Sequence, residues 1–149
     1  MKKTFITLFF IAISLSAFGQ RQERQERIKT LKVAFISEKL ELTPEEAQKF
    51  WPIYNAHEKE MDMLRLNAKE KRRNLKIETL SEDEAKAAIS DWMAFEKEQQ
   101  NLKSDFVESL LTAIPAKKII LLKVVEEQFK KRMIEELQKR REKFKKNRP

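Results

Sequence analysis
The chain has 149 residues, enough for one domain, with 38% of them charged and a formal net charge of +8. The absence of cysteine, with only one glycine and one histidine, excludes a disulfide framework, a bacterial lipoprotein anchor, thiol nucleophiles and glycine-rich phosphate cradles. That glycine is Gly19, and tight hairpin turns need Gly or Asn at positive φ, so the composition predicts an all-α fold.

At the N-terminus, Lys2 and Lys3 precede an apolar run from Thr4 to Phe18 that ends in Ala17-Phe18-Gly19. This is the pattern of a secretory signal peptide with a small-x-small cleavage site. The run is shorter than the roughly 20 residues needed to cross a bilayer, which favours cleavage over a retained anchor. The expectation is cleavage after Gly19, a periplasmic location, and a single helical domain over residues 20–149.

Four helical segments follow. The first runs from about Arg24 to Leu40, with Ile28, Leu31 and Phe35 on one stripe at helical spacing. Thr43 then reads as an N-cap, Pro44 suits the first helical position, and Glu46 completes a Thr-x-x-Glu capping box. The second helix carries Ala47, Phe50, Trp51, Tyr54, Met61, Leu64 and Ala68 on its apolar face and extends to about Ile77. Pro52 lies inside it and predicts a kink, because it lacks an amide hydrogen and crowds the Gln48 carbonyl. Ser81 with Glu84 forms a second capping box. It opens a third helix striped with Ala85, Ala88, Trp92, Phe95, Gln99, Leu102, Phe106 and Leu110. A break at Thr112 to Pro115 precedes the fourth, which carries Ile119, Leu122, Val125, Phe129, Met133 and Leu137.

The second and third segments would measure roughly 50 and 45 Å at 1.5 Å per residue. Those lengths exceed the roughly 26 to 30 Å across a compact domain of this size and predict an extended, kinked hairpin arrangement. Apolar stripes on thin helical pairs are satisfied by a partner helix, so a homodimer is expected. The excess positive charge sits at the end: residues 130–149 hold 10 basic and 3 acidic side chains. A basic C-terminal tail from about residue 139 reads either as a solvated helix end whose cations complement the dipole, or as an arm that attracts acidic partners or an anionic membrane surface. Export makes nucleic acid an improbable partner.

The segment Leu42-Thr43-Pro44-Glu45-Glu46-Ala47-Gln48 resembles the Leu-Thr-x-x-Gln signature of the periplasmic Spy/CpxP family, with Gln48 displaced from the strict spacing. The wider pattern is similar to the Bacteroidetes branch labelled sensor of ECF-type sigma factor. It comprises Phe50-Trp51-Pro52-Ile53-Tyr54-Asn55, Ile114-Pro115-Ala116-Lys117-Lys118 and Glu126-Glu127-Gln128-Phe129-Lys130. A second signature copy, found in many relatives, is degenerate here as Leu111-Thr112-Ala113-Ile114-Pro115. The resemblance implies an all-helical, ATP-independent, holdase-type chaperone or envelope-stress protein without cofactors. It also implies a cradle-like antiparallel dimer that holds unfolded envelope proteins on a surface mixing positive charge with apolar patches. The alternative it implies is a sensor or regulatory component of a sigma-factor or envelope-stress circuit, docking on the periplasmic part of a signalling membrane protein.

Residues compatible with client binding are Phe50, Trp51, Tyr54, Lys69, Arg72, Arg73, Trp92 and Phe95, with Lys71 and Lys76 extending the basic cluster. Phe50, Trp51 and Tyr54 fall on the same stripe as Met61 and Leu64 and read first as core aromatics; Trp92 and Phe95 also fit the inward stripe of the third helix. Met61, Met63, Met93 and Met133 are either adaptable contacts or core filling. His57 lies one turn before Met61 on the same helical face, a weak metal-ligand pair, since a competent site needs three or four ligands. With one histidine and carboxylates spread among lysines at ion-pair spacing, no catalytic constellation is present and no enzyme activity is expected.

Overall fold
The computed structural model describes residues 23, 25–73 and 75–146. The expected signal peptide, residues 1–19 with its cleavage site, lies outside them. The fold is all-α. Helix α1 covers residues 25–39, α2 Pro44–Arg73, α3 Glu82–Leu111 and α4 Ala116–Lys146, with a 3-10 turn at Ile77–Thr79. Among the described residues there is no strand, and no helix is long and apolar enough to cross a membrane.

Both capping boxes form. At α2 the Thr43 amide donates to Glu46 Oε2 at 2.9 Å, and the Glu46 amide to Thr43 Oγ1 at 3.2 Å. At α3 the Ser81 amide donates to Glu84 Oε2 at 2.8 Å and the Glu84 amide to Ser81 Oγ at 3.3 Å. Each box satisfies two backbone donors that a helix start otherwise leaves open. Helix α4 starts without such a box; the Pro115 carbonyl receives the Lys118 amide at 2.8 Å. In α2, Pro52 and Gln48 are both exposed residues; proline at 52 has no amide hydrogen to offer the Gln48 carbonyl.

One helix end differs from the sequence expectation. Helix α2 stops at Arg73 rather than near Ile77: Lys76 (φ −103, ψ 95) and Leu80 (φ −68, ψ 127) are extended, bracketing the 3-10 turn. Ile77 is 81% exposed, so no packing repays a further helical turn through β-branched Ile77 and Thr79. The basic C-terminal stretch, from Lys139 through Lys146, forms the last turns of α4, as the helix-end reading of it expects. Cations there complement the helix dipole.

By internal packing the chain divides into two units, one of residues Leu42–Leu121 and one of residues up to Glu41 with those from Leu122 onward. In the first, α2 packs on α3 as an antiparallel hairpin: Tyr54 meets Phe106 near one end, and Lys71 meets Asp91 near the other. Its buried apolar side chains are Phe50, Tyr54, Met61, Leu110 and Ile114. In the second, the buried set is Ile36 and Leu40 with Leu122, Val125 and Phe129. The Phe35 and Phe129 rings lie 5.6 Å apart there, joining α1 to α4. Helix α1 ends with Glu41 at φ 48, the left-handed conformation that glycine adopts at no steric cost.

Candidate functional site
The α2–α3 hairpin is packed unevenly along its length. Near the start of α2, large rings fill the space between the helices. Phe50 and Tyr54 stack at 5.4 Å, Trp51 meets both edge-on at 4.9 and 5.4 Å, and Tyr54 reaches Phe106 at 6.0 Å. Near the end of α2 the facing residues are small, namely Ala68 on α2 and Ala87 and Ala88 on α3. Small side chains at facing positions leave volume unfilled. The result is a groove of about 570 Å³ whose walls include Leu75, Ile89, Trp92 and Phe95, with Lys71 and Arg72 on the α2 side.

Trp92 is 64% exposed in this groove, Ile89 is exposed and Phe95 half-buried. An indole left this open is a large apolar surface with a single donor. Lys71 Nζ donates to Asp91 Oδ1 at 2.6 Å across the groove, and Arg72 Nε donates to the Ala68 carbonyl at 3.2 Å. Both partners of the Lys71–Asp91 pair are more than half exposed, so the bond aligns the helices more than it stabilises them. Glu84 also lines the groove, but its carboxylate is committed to the α3 cap. Its bonds from the Ser81 amide and hydroxyl hold it below the usual carboxylate range.

The residues singled out for client binding therefore separate. Arg72, Trp92 and Phe95 come together in the groove, whereas Lys69 and Arg73 are exposed on α2 outside its walls. Phe50 and Tyr54, at 0 and 2% exposure, are core and offer no ring to a ligand in the folded chain; Trp51 is half-buried beside them. In the motif segment, Thr43 and Glu46 form the cap, Pro44 opens the helix, Leu42 is half-buried, and Gln48 points to solvent. Of the methionines, Met61 is buried, Met133 half-buried, and Met63 and Met93 are exposed.

His57 stacks face to face on Phe106, with ring centroids 4.0 Å apart and planes 6° from parallel. Burial pushes its imidazole below the usual histidine range, with Arg65 acting the same way. Glu58, Glu60 and a hydrogen bond to the Leu102 backbone act in the opposite sense. Met61, one turn on, is packed away. Among the described residues no group of three or more His, Cys, Asp or Glu side chains could hold a metal ion.

Sequence reasoning did not identify Leu75, Ile89 or Asp91 as groove residues. Ile89 falls beside the stripe running through Ala88 and Trp92, and Leu75 lies beyond the end of α2. The signal that was available is the run of alanines, which places small residues opposite one another once the helices are antiparallel. No family model matches the chain, and no curated protein or solved structure is detectably similar to it.

Proposed function
We propose that the chain is an exported, ATP-independent, holdase-type chaperone or envelope-stress protein that binds unfolded clients, with the groove at the far end of the α2–α3 hairpin as its contact surface. The observation that carries this reading is Trp92, 64% exposed on an apolar wall faced by Arg72 and Lys71. An unfolded segment offers apolar side chains and backbone carbonyls together. A wall of Leu75, Ile89, Trp92 and Phe95 suits the first, and the cations and the indole N–H can donate hydrogen bonds to the second. Exposed Met93, next to Trp92, adds an adaptable thioether. The groove lies open along the hairpin, in keeping with plastic, low-affinity binding. Homodimer formation belongs to the same proposal, since thin helical pairs leave apolar side chains such as Leu66 and Ile120 in water.

The test is aggregation of a denatured model client followed by light scattering, with increasing ratios of residues 20–149 and no nucleotide. Dose-dependent suppression that is lost in Trp92→Ser and Phe95→Ser supports the proposal. No suppression at stoichiometric excess overturns it. The same groove would then be read as the seat of one specific partner segment, as a sensor or regulatory component of an envelope-stress circuit requires.

A further inference from the structure
The unit formed by α1 and α4 carries a second surface of different character. Between the two helices runs an apolar groove of about 370 Å³, floored by Phe35, Phe129 and Met133. Ile28, Leu31 and Leu137 line its mouth, each at least 40% exposed. Arg27, Arg132 and Arg140 border it, with Glu38 and Glu136. The Arg132 guanidinium lies 5.9 Å from the Phe35 ring centre, so its cation sits over the groove floor.

The same face of α4 turns apolar again at Phe144, beyond Arg140 and Arg141. Met133, Leu137 and Phe144 are four and seven residues apart, a spacing that puts all three on one helical face. Phe144 is 79% exposed, and its sequence neighbours are Arg140, Arg141, Lys143, Lys145 and Lys146 with one carboxylate, Glu142. Residues 130–146 hold nine cations and three carboxylates. A solvated helix end explains the lysines through the dipole, but not a phenyl ring set among them on the face that carries Met133 and Leu137.

We propose that this α1–α4 face docks on an anionic lipid surface. Phe144, Leu137 and the groove-mouth residues Ile28 and Leu31 would enter the headgroup boundary, while the flanking Lys and Arg side chains contact lipid phosphates. A bilayer interface is the partner whose layering matches the strip: anions outside, apolar depth immediately beneath. Long cationic stems reach outward from such a face while their methylenes cover apolar surface. An anionic polysaccharide matches the charge and can stack a sugar face on one ring, but it offers no apolar depth for Phe144, Leu137, Ile28 and Leu31 to enter together. The proposal concerns the α1–α4 unit alone and does not depend on client binding in the α2–α3 hairpin.

Flotation of residues 20–149 with vesicles tests it. Vesicles of phosphatidylglycerol and phosphatidylcholine should carry the protein, those of phosphatidylcholine alone should not, and high salt should weaken the association. Phe144→Ser should reduce affinity about tenfold and Phe144→Leu should restore it. The combined change Lys143→Gln, Lys145→Gln, Lys146→Gln should cost about a hundredfold. Far-UV circular dichroism of each variant checks that α4 remains helical. The proposal is overturned by absence of the protein from the anionic vesicles, or by binding that Phe144→Ser leaves unchanged. Equal affinity for a soluble anionic polysaccharide overturns it as well, because charge alone would then account for the association.

Discussion
Lys118, in the first turn of α4, donates from Nζ to Glu46 Oε2 at 2.6 Å, and the same carboxylate receives the Thr43 amide that starts α2. Seventy-two residues separate the two side chains, and they are only 23 and 18% exposed. One carboxylate therefore serves both as a local cap and as a tertiary tie between the start of α2 and the start of α4.

That arrangement has a pH signature. The Lys118 bond, then the Thr43 amide, hold the Glu46 carboxyl below its ordinary value of 4.5. A lowered carboxylate contributes stability above the unfolded value and loses it as pH falls through the folded one. Lys118→Met should lower the urea midpoint at neutral pH, and the gap from the parent chain should close as pH falls below 4.5. Thr43→Ala should cost about 1 kcal/mol by removing the cap. A gap between Lys118→Met and parent that persists unchanged in acid would contradict the assignment.

His57 is shifted downward as well, for a different reason. Its folded pKa lies below 6.5, chiefly through burial against Phe106. The unfolded chain then binds the proton first, so stability should be constant above pH 6.5 and decline as pH falls below it towards the folded value. His57→Gln should remove that part of the profile. Because it is the only histidine, a proton NMR titration reads it directly, and a midpoint at or above the ordinary value would count against the buried stack.

Burial separates two aromatic residues that the sequence places on similar stripes. Phe50→Ala, at a fully buried position, should cost about 3 to 5 kcal/mol. Trp92→Ala, at a position 64% exposed, should change stability by only about 0.5 kcal/mol, while reducing suppression of client aggregation. Chemical denaturation and light scattering on the same two variants measure both quantities.

Glu41 sits at φ 48, where a side chain costs roughly 1 kcal/mol or more and glycine almost nothing. Glu41→Gly should raise the stability measured by denaturation by up to about 1 kcal/mol, and Glu41→Val should lower it. A chain with its single glycine at position 19 terminates α1 by placing a carboxylate residue in the left-handed region.

Much of the fold was legible because its signals are local. Thr43 with Glu46 and Ser81 with Glu84 stand at fixed spacing, and each box forms between residues three apart. Pro115 after Thr112 marks the α3–α4 break for the same reason, since proline has no amide to continue the helix. The end of α2 was not legible. Whether the chain from residue 74 to Ile77 adds another turn depends on packing, and Ile77 has none.

The candidate site was legible only in part. Trp92, Phe95 and Arg72 could be singled out by type, as could Phe50 and Tyr54, whose stripe already favoured the core position they occupy. A stripe at helical spacing identifies a face and leaves open what covers it. That decision required α3 to lie antiparallel on α2, which sets Phe106 against Tyr54 and His57 and leaves alanines opposite one another further along.

By itself the sequence determined the all-α class, the two boxed helix starts, the α3–α4 break and the concentration of cations near the C-terminus. Each of these is fixed by composition or by residues within one turn of each other. Only the tertiary structure decided that Lys118 reaches Glu46, that His57 lies on Phe106, and that Trp92 stands in an open groove while Phe50 does not. Those are contacts between residues far apart in the chain, and they exist because two whole helical faces must pair at once, with large side chains filling one end of the hairpin and alanines leaving the other open.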